Sequence, residues 1–134
     1  MTRKSFLTFA SLVALSIGAI AMFLPSTLII DMKDAAPSGT TIVMARTVGV
    51  LLISFGVLNF LVRSEPSSPT LKHILLANAL LQLLILPIDP LAYAYGVYGS
   101  LMSFVPNTIL HIALFCGFVF FWLRIEKSRP PVSQ

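Results

Sequence analysis

Four long apolar stretches dominate this chain, at residues 6–24, 42–62, 71–88 and 108–123. Each is close to the ~17–25 helical residues that cross ~30 Å of hydrocarbon. A segment immersed in lipid must satisfy its backbone hydrogen bonds internally, so each stretch reads as an α-helix. The composition agrees with that reading. Hydrophobic types make up 57% of the 134 residues and charged types 10%, and mean hydropathy is +0.92. An average soluble domain is ~45–50% apolar and ~25% charged. There is too little polar surface here to cover a globule in water. A water-soluble enzyme, a disordered tail and a disulfide-stapled secreted domain are thereby excluded. Cys116 is the single cysteine and cannot close an internal bridge. The expected fold class is all-α, a four-transmembrane-helix bundle forming one domain over residues 1–134.

Proline and small polar residues punctuate the spans. Pro25 stops the first, and Arg63 with the Pro66-containing stretch 64–68 stops the second. Ser68 as N-cap and Pro69 at the first helical position open the third. Pro87-Ile88-Asp89-Pro90 is read as its end, and Pro106-Asn107 as the start of the fourth. Residues 91–105 are apolar and carry Tyr93, Tyr95 and Tyr98, a residue type that favours the water–lipid boundary. That segment is expected either to lie at the interface or to extend the fourth helix beyond a kink at Pro106. Residues 127–134 are expected to form a disordered tail.

The net charge of +4 is not a nucleic-acid signal, because the charges sit at the ends of apolar runs. Arg3, Lys4, Arg63, Lys72, Arg124, Lys127 and Arg129 fall on one side of a four-span chain, and Lys33 and Arg46 on the other. Cytoplasmic loops are enriched in lysine and arginine. Both termini are therefore expected in the cytoplasm, in the plasma or inner membrane of a bacterium or the endoplasmic reticulum of a eukaryote. A cleaved leader is the rival reading, with Arg3-Lys4 as its basic region and Ala19-Ile20-Ala21 as its cleavage site. The apolar run continues through Met22-Phe23-Leu24, so a retained span is expected.

Small residues recur at four-residue spacing: Ala10, Ala14 and Gly18, then Ala45 and Gly49 with Gly56 a heptad later, then Ala113 and Gly117. Such faces let helix backbones approach closely in lipid. Polar residues at membrane depth are costly and face the bundle interior by default. Asn78, Gln82 and Asp89 project from one face of the third span. Arg46 and His111 lie about one turn inside their spans at the same, outer level. These five residues are the candidate site, with the Tyr93–Tyr98 group, Asp31 and Asp34 nearby. Two accounts are open. In one, Arg46 pairs with Asp89 or a loop aspartate, and Asn78 and Gln82 bridge helices. In the other, Arg46, Asn78, Gln82, Asp89 and His111 line a polar pocket for a lipid head group, quinone or small amphiphile.

His73 and His111 lie near opposite membrane surfaces, and neither has a second ligand at helical spacing. No metal, haem or other cofactor is expected. No phosphate loop, HExxH or nucleophile–base motif is present, and no catalytic residue is assigned. A four-helix monomer leaves no room for a pore, which disfavours transport.

The stretch Met44-Ala45-Arg46-Thr47-Val48-Gly49 through Gly56-Val57-Leu58-Asn59-Phe60-Leu61-Val62-Arg63 resembles the second span of small bacterial four-helix membrane proteins, broadly the DoxX-like group. There an "ARxxG…G…N/K…R" pattern opens and closes one helix after an apolar span ending in proline, as Phe23-Leu24-Pro25 does here. Asn59 stands where a lysine often closes the pattern. A fainter similarity, in span count and in Ala45-Arg46-Thr47-x-Gly49, is to the four-span scaffold of sterol biosynthesis in the endoplasmic reticulum. Both resemblances imply a non-enzymatic accessory or scaffold subunit. Its expected partners are the bilayer and a larger membrane protein or further copies of itself. A membrane-embedded binder of, or enzyme on, a hydrophobic small molecule is the alternative.

Overall fold

Local capping chemistry sets where the helices begin. The structure, a computed structural model, describes residues 1–127. Helix α1 spans Arg3–Phe23, with the Thr2 hydroxyl accepting from the Ser5 amide. Helix α2 spans Gly39–Val62. It starts three residues before the apolar run because Ser38 and Thr41 form a reciprocal capping box. Helix α3 spans Pro69–Ile85, and Ser68 caps it as the sequence predicts, accepting from the Leu71 amide at 3.1 Å. A short helix α4, Ile88–Ala94, follows, and α5 runs over Val105–Lys127. Single helical turns occupy Thr27–Met32, of the wide π type, and Leu101–Ser103, of the tight 3₁₀ type.

Among the described residues, four helical stretches are long and apolar enough to cross a bilayer: Arg3–Phe23, Gly39–Val62, Pro69–Ala94 and Leu101–Ile125. The chain is an all-α four-helix bundle and an integral membrane protein.

The third span does not end at Pro87. Leu86 and Pro87 both keep right-handed helical dihedrals, so the chain continues its direction into α4 with only a local lapse in the ladder. Proline costs the hydrogen bond its missing N–H would make, and the helical sense survives. Residues 91–94 thus complete the third span. Gly96, with φ of +72°, turns the chain back. Residues 101–103 lead into the fourth span, and Pro106 sits in the first turn of α5, where its missing N–H is harmless. Residues 128–134, most of the expected tail, lie outside the described residues.

Packing divides the bundle into two pairs, α1 with α2 and α3 with α5. The first pair is joined by small residues. A methyl group at Gly49 would lie 2.6 Å from the Met22 amide nitrogen and 2.7 Å from the Gly18 carbonyl oxygen. Gly56 is packed as closely against Leu15, and the Ser11 hydroxyl donates to the Gly56 carbonyl at 2.7 Å. The glycines of the two small-residue faces therefore meet. On α5, Gly117 packs against the Phe6 ring, whereas Ala113 is exposed.

The apolar core joins the pairs at the end where the chain starts. It is built from Phe6, Leu7 and Ala10 of α1, Leu71, Leu75 and Ala79 of α3, and Leu114, Phe118, Phe121 and Ile125 of α5. Phe6 meets Phe118 edge-on, with centroids 4.9 Å apart. Helix α2 buries only Gly49, Gly56 and Asn59. At this end Arg3 also donates to Ser67 and the Glu65 carbonyl, tying the N-terminus to the α2–α3 connection.

Candidate functional site

The polar residues at membrane depth form three separate groups rather than one pocket. The largest is centred on Asp89 in the first turn of α4. Its Oδ2 accepts from the Lys33 ammonium at 2.6 Å and from the Asn107 amide at 2.7 Å, and its Oδ1 accepts from the Tyr98 hydroxyl at 3.0 Å. The Lys33 side chain is 20% exposed and that of Asp89 10%. Lys33 Nζ also lies 5.1 Å from the centroid of the Tyr98 ring. Four segments thus converge on one carboxylate: the α1–α2 connection, α4, the α4–α5 turn and the first turn of α5. Burial removes water that would solvate the carboxylate, and three donors replace it. Tyr98, in the turn outside the spans, responds to the same environment. Burial, followed by the charge of Asp89 and the hydrogen bond to it, pushes its phenol up to about 12.

The second group lies one step deeper. Gln82 of α3 is buried, and its Oε1 is 2.5 Å from His111 Nδ1 of α5. The donor and acceptor roles in this pair follow the tautomer of His111. The third group is nearer the middle of the bundle. Asn59 Nδ2 of α2 donates to Asn78 Oδ1 of α3 at 3.0 Å, and Asn78 Nδ2 donates to the Ile74 carbonyl at 2.9 Å. Asn59 is 3% exposed and Asn78 2%. This bond is a direct polar tie between the α1–α2 and α3–α5 pairs.

The five candidate residues are distributed over this arrangement. Asn78, Gln82 and Asp89 share the buried face of the third span, as their spacing predicts. His111 meets Gln82. Arg46 joins none of the three groups: it is exposed on α2, which packs chiefly on α1. The cation on Asp89 is Lys33, not Arg46. Asp31 and Asp34, the other expected partners of Arg46, are exposed. Asn59, Asn107 and Lys33 complete the groups and were not among the candidates. Lys33 had a legible signal, since it stands in the short connection at the end of the bundle opposite most of the basic residues. In sequence Asn107 carries only a helix-start signal.

Comparison with protein-family models, curated proteins and solved structures finds no match.

The three groups are largely paired internally, with the buried Asn59 Oδ1 left without a hydrogen-bond partner among the described residues. The Asp89 carboxylate is the acceptor for three donors, and the amide pair and the His111–Gln82 pair each engage one another. Among the described residues, no group of three or more His, Cys, Asp or Glu is placed to hold a metal ion. Cys116 is exposed on α5. A shallow depression of about 250 Å³ lies beside the Asp89 group, lined by Ile30, Asp31, Met32, Asp34, Ser100, Met102 and Ser103. None of the five candidate residues lines it.

Proposed function

We propose that this chain is a non-enzymatic accessory or scaffold subunit of a membrane complex, with both termini in the cytoplasm and α2 turned toward a partner. The observation that carries the reading is the contrast between its polar interior and its second helix. Asp89, Gln82, His111, Asn78 and the Asn59 amide nitrogen are each engaged within the bundle, which favours a structural role over chemistry. Helix α2, by contrast, is 24 residues long and buries three of them. Its remaining surface presents Val43, Met44, Val50, Leu51, Val57 and Leu61. The resemblance of this same helix to DoxX-like second spans points the same way.

The orientation rests on the seven basic residues at one end against Lys33 and Arg46 at the other. A binding role through Arg46, Gln82, Asp89 and His111 has less support. Arg46 stands apart, and the other three already have partners within the bundle.

A photo-crosslinking amino acid at Leu51 of α2, compared with one at Leu84 of α3, tests the proposal in native membranes. Both positions are exposed. A discrete adduct with another membrane protein, or with a second copy, is expected from Leu51 and not from Leu84. Lipid adducts alone from both positions, with a monodisperse monomer in mild detergent, would overturn it.

A further inference from the structure

Arg46 is a charge that the bundle leaves over. It lies seven residues inside α2, ~10 Å below the first residue of that helix. Its side chain is exposed and, among the described residues, makes no ion pair or hydrogen bond. A charged side chain at membrane depth is costly and takes an opposite charge as its partner. At the same end of the bundle, Asp31 and Asp34 are exposed on the α1–α2 connection, and their carboxylates are equally unpaired among the described residues. A long arginine side chain snorkels toward the interface, the level of that connection. The chain thus holds a cation and two carboxylates at one end that do not meet within it.

Arg46 also borders a repeating flank of α2. Val43, Val50 and Val57 recur every seven residues, with Thr47, Ser54 and Leu61 four residues after each, and all six are exposed. The Thr47 hydroxyl donates to the Val43 carbonyl at 3.1 Å and the Ser54 hydroxyl to the Val50 carbonyl at 2.9 Å. Neither hydroxyl therefore brings an unpaired donor to the surface. A seven-residue repeat of β-branched and small side chains is the seam along which parallel helices interdigitate at a small crossing angle. Gly49 and Gly56, which meet α1, lie on a different flank.

Resting on the reading that α2 faces a partner, we propose that this partner is a second copy of the chain. The two copies pack in parallel along the valine seam, and Arg46 of each pairs with the Asp31 and Asp34 carboxylates of the other. Charge complementarity selects this occupant. Copies inserted alike are related by a twofold axis along the membrane normal, which sets the charges of one at the level of those of the other. A single contact then makes the cation–carboxylate pairing twice. A lipid phosphate would answer Arg46 alone and would stand near Asp31 and Asp34 with like charge.

Energy transfer between donor- and acceptor-labelled full chains, diluted in phosphatidylcholine vesicles, tests the pairing. The wild type is expected to self-associate. Arg46→Glu should weaken association about tenfold, and so should Asp31→Lys combined with Asp34→Lys, with helicity by circular dichroism unchanged. An equal mixture of these two variants should associate within about twofold of the wild type, because each contact then joins opposite charges again. A wild type that stays monomeric would overturn the dimer. So would Arg46→Glu chains that associate as strongly as the wild type, or a mixture no better than its components. The accessory reading is tested apart from this by the adduct at Leu51, where capture of a different membrane protein keeps that reading when the dimer fails.

Discussion

Replacing Asp89 by leucine should destabilise the wild-type bundle by about 3 kcal/mol, but should add only about 1 kcal/mol once Lys33 has been replaced. In the wild type three donors end on this carboxylate, one of them an ammonium at 2.6 Å. Removing one partner of a buried ion pair typically costs ~3–5 kcal/mol. The lower end applies here, because Lys33 is 20% exposed and can turn its ammonium to water. Lys33→Met keeps the aliphatic stem and leaves Asp89 with two neutral donors, which should cost about 2 kcal/mol. Independent effects would sum to about 5 kcal/mol. The double variant should instead cost about 3, a coupling of about 2 kcal/mol. Reversible unfolding in detergent micelles, followed by circular dichroism on all four proteins, measures the cycle. Additivity within ~0.5 kcal/mol would refute the claim that Asp89 and Lys33 act as a pair.

Gly49→Ala should cost at least ~1–3 kcal/mol, because the new methyl meets the backbone of Met22 and Gly18 rather than a movable side chain; the same unfolding assay reads it, and a neutral outcome would contradict the α1–α2 contact. Asn59→Ala should cost ~1–3 kcal/mol by stranding Asn78 Oδ1, whereas Asn59→Leu combined with Asn78→Leu should be close to neutral. A double variant worse than the single would show that the amides do more than satisfy one another. Tyr98 should lose its proton only near pH 12, giving a late phenolate absorbance component that is absent in Tyr98→Phe. Its folded-state pKa lies above the unfolded value near 10, so its contribution to stability is complete below about pH 10. That contribution is lost as pH rises toward 12. A Tyr98→Phe protein with the same stability profile across this window would remove the linkage.

Element identity was legible because lipid leaves the backbone one choice, so four apolar runs meant four helices. The start of α3 was legible for the same local reason, a serine cap before proline. The end of the third span was not. Proline usually punctuates a helix, but Leu86 and Pro87 retain helical dihedrals and α4 resumes at once. Helix α2 begins ahead of its apolar run because the Ser38–Thr41 capping box lies in polar sequence outside that run. Among the polar residues, spacing placed Asn78, Gln82 and Asp89 on one buried face. Their partners were harder to read, since those lie on other elements and depend on how the connections cross the bundle end. Arg46 and Lys33 share one level by sequence counting. Only the path of the α1–α2 connection brings Lys33 to Asp89 and leaves Arg46 outside.

The account rests on four crossings with the basic end in the cytoplasm, and cysteine accessibility tests this most directly. In a Cys116→Ser background, Ser38→Cys should react with an impermeant thiol reagent applied to intact cells. Ser67→Cys should react only after the cytoplasmic face is opened. Labelling of Ser67→Cys in intact cells, or protection of both positions from the same side, would contradict the four-span topology.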